Sequence, residues 1–487
     1  MSMIATARRF TIGSLAGIAI SLLPSVAFAQ SREDALKDFE FVLEVVRQDY
    51  AGFSDKTAGA KAVEFEALVR SKRAEIEQTP KKEGKIIGDV LAWFNDRHTS
   101  YSSASLPGQA SPNADKLLAS QGPFLPINRL VPAKTSAKQP LAGTAWASTD
   151  GIYQAVILSD PADPQRALGV ITSSKSPAWS SGQVKFVLTP SAHGWSGTYY
   201  MRDHSAETAI AKFLGKNSVL RFASMSVDWV RVKPTPAVPL DNIVPSADFF
   251  LRRLSSKTAI LRLPNFYGDN GEKIENLLDD NRVLLENTPN LVIDARNNSG
   301  GSDGSYSKLM EWIYTRPIYS IDVEFRATAR NADLYEAMLK DPSFSPDTIS
   351  QVRRIVTRIR NAKGDWVSGG DKPFSIMTFP RIMPNPKRVG IIATGAGSSG
   401  DQFVLDARQS RKVTTFGGPT AGVIDYSNVL EATSPSKLFI LRWATSRSMR
   451  LPDEPIDNVG IQPDIPISEQ VDDPITFVQS WLERQVD

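Results

Sequence analysis

The chain of 487 residues contains no cysteine. Without thiols it forms no disulfide, anchors no lipid through sulfur and builds no thiolate zinc site. Histidine is nearly absent as well: only His98, His193 and His204 occur, which makes a histidine-based zinc site a poor expectation. Neither sign of charge is in excess. A formal net charge of +3 gives no reason to expect nucleic acid or an anionic membrane as a partner. The stretch "VIDARNNSGGSDG" at 292–304 has no Walker lysine and lacks the G-x-G-x-x-G spacing, so nucleotide binding is weakly supported there. No cofactor is expected.

The first 29 residues stand apart. Arg8 and Arg9 precede the apolar stretch "TIGSLAGIAISLLPSVAFA", which ends in Ala27-Phe28-Ala29 ahead of Gln30. A basic start, an apolar middle and small residues two apart read as a secretory signal peptide, residues 1–29, cleaved after Ala29. Pro24 and the A-x-A ending favour cleavage over a membrane anchor. Loss of both arginines lowers the formal charge from +3 to +1. The expected location is the periplasm or beyond, with no membrane association after cleavage.

A chain of this length exceeds one ordinary core and suggests several domains. Residues 30–101 read as a helical subdomain: Leu36, Phe39, Val42, Leu43 and Val46 recur at spacings of three and four. A further helix is expected over "KIIGDVLAWFNDRH", ending at His98. Residues 102–140, rich in Ser, Ala and Pro, read as a linker or loop. Residues 141–235 hold short β-prone runs separated by Gly, Pro, Asp and Ser, the spacing of a barrel or compact sheet. Four of the nine tryptophans fall there, Trp146, Trp179, Trp195 and Trp229. They read as core filling, with a binding cleft as the alternative. Residues 236–470 alternate strands and helices. "TAILRLP", "NLVIDA" and "RVGIIAT" are apolar runs suited to a parallel sheet buried on both faces. Residues 471–487 read as a closing helix.

Two corners of that α/β region carry unusual residues. In "VIDARNNSGGSDG", Gly300 and Gly301 stand between a strand and a helix. Paired glycines let backbone N–H groups approach a bound atom, as in an oxyanion hole or anion cradle; the plain alternative is a tight turn. In "GAGSSGDQF", Ser398 precedes a helix beginning near Gly400. An oxyanion there would feel the helix N-terminus and the N–H of Ser399. By itself G-S-S-G is also a common turn, and it is not the G-x-S-x-G elbow. A nucleophilic serine needs a base, and His98 in "NDRHTS" is a candidate. His193 and His204 read as turn or surface residues. Asp294 and Arg296 read as an ion pair holding the sheet end.

Taken together, the corners resemble the tail-specific, or C-terminal processing, serine protease family with its tricorn-core and retinoid-binding-protein-like branch. "LAWFNDRHTS", "LVIDARNNSGG", "GSSGDQFVLDARQSRKVTTFGGPTAG" and "IDNVGIQPDIPI" are similar to the family's motifs and occur in its order. The likeness covers roughly 33–100 and 245–470 and leaves the β-rich region outside. It implies an α/β fold: a crotonase/ClpP-like spiral ββα core with an N-terminal helical subdomain and an inserted all-β, barrel-like domain. It implies a serine peptidase acting on peptide or protein substrates, with Ser398 as nucleophile. The implied oxyanion hole comprises Ser399 with Gly300 or Gly301. The processing branch takes its base from a lysine after "T-x-G", and Val423 stands at that position here. The tricorn-like branch uses a histidine oriented by an acid, which implies His98 and Asp457, with Asp453 and Glu454 as rivals. No PDZ carboxylate loop is recognisable. Two other readings stay open, a non-catalytic binding protein on the same core and a crotonase-like acyl-transfer enzyme.

Overall fold

The computed structural model describes residues 31–104 and 141–485, except 161, 193, 223, 224, 226, 237, 343, 345, 469 and 470. The expected signal peptide, most of the 102–140 segment and His193 therefore lie outside the described residues. The chain forms two compact units. One takes in residues up to Ala104, Ala247–Ile467 and the chain from Val478; the other takes in the intervening segments.

The first unit begins with three longer helices, α1 (Arg32–Gln48), α2 (Ala60–Gln78) and α3 (Glu83–Ala92), with one short helical turn, Phe53–Lys56, between the first two. Ser31 caps α1 by accepting from Asp34 N at 3.0 Å, and acidic Glu33 and Asp34 occupy the first turn, where the helix dipole favours them. The apolar stripe of α1 is buried as its spacing requires: Phe39, Val42, Leu43 and Val46 lie in one cluster with Phe65 and Ile87. The helix expected to reach His98 stops at Ala92. Asn95 adopts φ 44°, and Asp96 turns back to accept the His98 N–H at 2.8 Å. A left-handed residue and a side chain competing for backbone donors end the helix early. Strand β1 (Ser100–Ser103) follows directly.

The second unit is a closed antiparallel barrel of eight strands, β2 (Ala145–Ser148), β3 (Tyr153–Ser159), β4 (Ala167–Ser174), β5 (Val184–Ser191), β6 (Gly194–Tyr200), β7 (Ala206–Leu214), β8 (Val219–Phe222) and β9 (Val227–Lys233). Closure leaves no free sheet edge. Trp146, Trp179 and Trp229 fill its interior with Phe186 and Phe222. The tryptophans are core residues, and Trp195 packs partly buried against them.

The first unit resumes with a six-stranded sheet in the order β10-β11-β12-β17-β18-β21. These are β10 (Phe250–Arg253), β11 (Thr258–Arg262), β12 (Asn290–Asp294), β17 (Arg388–Ile392), β18 (Val413–Gly417) and β21 (Ile465–Pro466). From β11 to β21 all pairs are parallel. Helices α4 (Asn270–Asp280), α5 (Ser307–Ile313) and α8 (Ser399–Ala407) belong to the crossovers, and burial on both faces explains the unbroken apolar runs of β12 and β17. Between α5 and β17 lie β13 (Ile318–Ile321), β14 (Val323–Arg326), α6 (Ala329–Met338), α7 (Pro346–Arg360), β15 (Trp366–Ser368) and β16 (Phe374–Met377). A long hairpin, β19 (Tyr426–Thr433) and β20 (Phe439–Ser448), pairs through β20 with both β1 and β14. Arg442 of β20 stands opposite Ser100. That pairing joins the His98 turn to the β19–β20 hairpin, in a sheet separate from the six-stranded one. Helix α9 (Pro474–Arg484) closes the chain, with Val478 and Leu482 against Gly390 of β17.

Candidate active site

Strands β12 and β17 run parallel with Asp294 opposite Ile392, so both end at the same edge. Their exit loops stay zipped together. Asn297 N donates to Thr394 O at 2.9 Å, and Gly397 N to Asn298 O at 2.8 Å. This places the glycine pair beside Ser398, although about a hundred residues separate them in the chain. Gly300 lies so close that a Cβ there would stand 2.6 Å from Ser398 Cβ and 3.1 Å from Ser398 Oγ. The edge where parallel strands release their loops is the usual place for a site in such sheets.

Asn298 is the rivet of this corner. It is fully buried; its Nδ2 donates to Leu263 O at 3.0 Å, and its Oδ1 accepts the Gly300 N–H at 2.9 Å. Below it, Asp294 and Arg296 form the expected buried pair, with Nε–Oδ1 at 2.8 Å. Arg262 braces the loop base by donating to the carbonyls of Asp294 and Arg296, each at 2.9 Å. Desolvation pulls that guanidinium down to about 10.

Ser398 caps α8 in a strained backbone conformation, φ 58° and ψ −122°. A non-glycine residue held there costs on the order of 1–3 kcal/mol and has to be held by its surroundings. The holder is Asp401, buried in the first turn. Its carboxylate accepts from Ser398 N and Val423 N at 2.9 Å each and from Gly422 N at 3.1 Å. Burial still leaves its pKa raised. The result is a sharp strand–serine–helix turn without the G-x-S-x-G spacing. Ser399 Oγ donates to Gly301 O at 2.9 Å, which couples the helix start to the glycine pair.

His98 meets this corner from the helical side. Its Nε2 lies 3.3 Å from Ser398 Oγ, and its Nδ1 lies 2.6 Å from the Tyr426 carbonyl oxygen. A carbonyl only accepts, so Nδ1 carries the proton and Nε2 presents a lone pair to the serine hydroxyl. The distance to Oγ is slightly long, as such contacts are before a substrate is bound. Residues 257–467 match the model of peptidase family S41. Over that segment the chain is similar to the serine peptidases of family S41. The motif resemblance to tail-specific and C-terminal processing proteases is thereby borne out, and the α/β core, helical N-terminal region and closed β-barrel agree with the expected fold.

Among solved structures, the chain is similar to mature CPAF, at 13% identity over 89% of this chain and 92% of that one, TM-score 0.45. It is similar to the photosystem II D1 C-terminal processing protease, at 12% identity over 89% and 93%, TM-score 0.36. A lipoprotein from Streptococcus agalactiae shares 12% identity over 96% and 100%, TM-score 0.40. At these scores the assignment rests on the family match alone. No curated protein matches the chain in sequence. Among the described residues no helix is long and apolar enough to cross a membrane.

The remaining expected residues fall as follows. Asp457 does not touch His98. It accepts from Ile424 N at 2.7 Å and Asp425 N at 2.8 Å, immediately before Tyr426. The atom facing Nδ1, expected to belong to an acid, is the Tyr426 carbonyl, because β19 delivers its backbone there. Burial, with Asp425 and Asp96 nearby, pushes the Asp457 carboxyl up to about 6. The rivals Asp453 and Glu454 are exposed. Of the glycine pair, Gly300 N–H is committed to Asn298, whereas Gly301 N–H has no hydrogen-bond partner among the described residues. His204, in the barrel unit, stacks on Trp179 with centroids 4.2 Å apart. A cleft of about 440 Å³ opens at Ser398, lined also by His98, Gly301, Val423 and Arg97. Val423, standing where a branch of the family has lysine, contributes an apolar wall.

Asn298, Asp401 and Tyr426 were missed in the sequence. The first two sit inside the quoted motifs, as the Asn of "DARNNSGG" and the first-turn acid after "GSSG", where a capping signal was readable. Tyr426 acts through its backbone, which no side-chain pattern reveals.

Proposed function

We propose that this protein is an exported serine endopeptidase that cleaves peptides or unfolded segments through an acyl-enzyme at Ser398. The observation that carries this is the relay Tyr426 C=O···His98···Ser398, at 2.6 and 3.3 Å. Ser398 Oγ attacks the scissile carbonyl and gives its proton to His98 Nε2. The imidazolium that forms keeps its Nδ1–H on the Tyr426 carbonyl. The tetrahedral oxyanion takes the N–H of Gly301 and of Ser399 at the start of α8. The C–N bond breaks as Nε2 returns the proton to the leaving amine. Water, deprotonated by the same nitrogen, then releases the acid product and restores the serine. Asp457 is a positioning residue: it fixes the 424–425 amides and so the carbonyl that selects the tautomer. The basic, apolar and A-x-A segments of residues 1–29 support export.

A fluorophosphonate should label wild-type Ser398, read by peptide mass mapping. Ser398→Ala and His98→Ala should each lower kcat by at least about a thousandfold, since the two act as one unit. An unlabelled wild-type protein would favour the non-catalytic binding reading, and a fully active Ser398→Ala protein would remove Ser398 from the chemistry.

A further inference from the structure

The cleft is charged on one side only. Among the described residues that line it are Arg97 and Arg442, and none is Asp or Glu. Arg442 is partly neutralised by Glu431, with Nη2–Oε2 at 2.9 Å. Arg97 is exposed and has no ion pair or hydrogen bond among the described residues. Its backbone is nevertheless fixed, because the neighbouring Asp96 carboxylate accepts the His98 N–H at 2.8 Å and the Tyr50 hydroxyl at 2.7 Å. The guanidinium is thus tethered one residue from the proposed base. The acids near His98 all have other work. Asp96 holds the turn, Asp457 holds the 424–425 amides, and Asp425 accepts from Ile456 N and Asp457 N and pairs with Arg450. The remaining lining combines small apolar residues, Ala421, Val423 and Val429, with neutral polar ones such as Tyr267 and Asn297.

We infer that Arg97 makes this cleft select peptides bearing a carboxylate close to the apolar segment that docks at Ser398. This rests on the cleft being the peptide site proposed above, but not on hydrolysis itself. A carboxylate is the group a planar guanidinium holds best, through paired N–H donors. Two sources share that chemistry: an acidic side chain within the peptide and the C-terminal carboxylate. Because Arg97 is exposed, a preference of roughly tenfold over a neutral analogue is expected, weakening as salt rises.

Fluorescein-labelled hexapeptides of alanine and leucine serve as probes in three forms: a neutral C-terminal amide, the same amide with one internal glutamate, and a free C-terminus without an acidic side chain. Binding to the Ser398→Ala protein is read by anisotropy at low and moderate salt, then repeated with Arg97→Gln added. The expected result is about tenfold tighter binding of one carboxylate form, lost in Arg97→Gln. The form that gains identifies the source. Equal affinity for all three forms, including no measurable binding of any, overturns the inference, as does an advantage that survives Arg97→Gln. Fluorophosphonate labelling of the wild-type protein tests hydrolysis separately. Preference without labelling keeps the carboxylate site and removes the peptidase; labelling without preference does the reverse.

Discussion

Replacing Gly300 with alanine probes how tightly the glycine turn is fitted to the nucleophile. The new methyl group would lie 2.6 Å from Ser398 Cβ, 2.8 Å from the Gly397 carbonyl oxygen and 3.1 Å from Ser398 Oγ. Ordinary carbon contacts begin near ~3.5 Å, so relief needs a displacement of about 0.9 Å between the turn and the serine. Neither side can yield freely. Gly300 is tied to Asn298 through its N–H, and the Ser398 backbone is tied to Asp401. A φ of 81° adds strain that glycine alone avoids, about 1–2 kcal/mol for an L-residue. Together with overpacking the cost is about 2–4 kcal/mol of stability. A misplacement near 1 Å costs roughly a hundredfold in rate. The assays are kcat/KM on a fluorogenic peptide, the rate of fluorophosphonate labelling, and thermal unfolding. Gly364→Ala is the control, because a Cβ there meets nothing within 4 Å and its φ is ordinary. If Gly300→Ala labels and cleaves at wild-type rates with an unchanged melting temperature, the close fit of turn to serine is wrong.

Asp457→Asn keeps an oxygen for the 424–425 amides, so its kcat should stay within about tenfold of wild type, while Asp457→Ala should lose about a hundredfold; equal losses in both would refute a positioning role. The Asp457 pKa is raised to about 6, so the folded state holds its proton longer and wild-type stability falls as pH rises from about 4 to about 6. The Asparagine variant should gain on wild type across that window, by up to ~3 kcal/mol, in pH-resolved urea melts. Ser399→Ala leaves the Gly301 carbonyl without its hydroxyl donor at 2.9 Å; a cost of about 1–2 kcal/mol and a fall in kcat with little change in KM are expected. In the barrel, the β4–β5 register skips Lys185, and its ammonium sits 4.0 Å from the Trp179 ring and 4.4 Å from that of Tyr153. Burial lowers this lysine to about 7 from 10.5, a desolvation cost of up to ~5 kcal/mol that exceeds the ~2 kcal/mol of ring attraction. Lys185→Met should therefore stabilise the barrel by about 3 kcal/mol at and below pH 7, with the gain fading as pH rises from 7 toward 10.5; a gain independent of pH would refute the assignment.

What the sequence determined by itself was local. Helical periodicity around Phe39 and Val42, the apolar runs of β12 and β17, and the small-residue corners at 300–301 and 397–400 are short-range patterns, readable because period and turn chemistry act within a few residues. The motif order was enough to indicate the resemblance to tail-specific, C-terminal processing proteases. Tertiary structure decided the partners. It turned the His98 backbone out of its helix at Asn95, committed Gly300 N–H to Asn298, and set Asp457 one step behind the imidazole. It also delivered the Tyr426 carbonyl through the β19–β20 hairpin, whose runs "YSNVLEAT" and "FILRWATSRS" flank a Pro- and Ser-containing turn. Which oxygen faces a ring nitrogen depends on strand register between segments some three hundred residues apart. A local pattern carries no term for that distance, so the relay exists only once β1 has paired with β20.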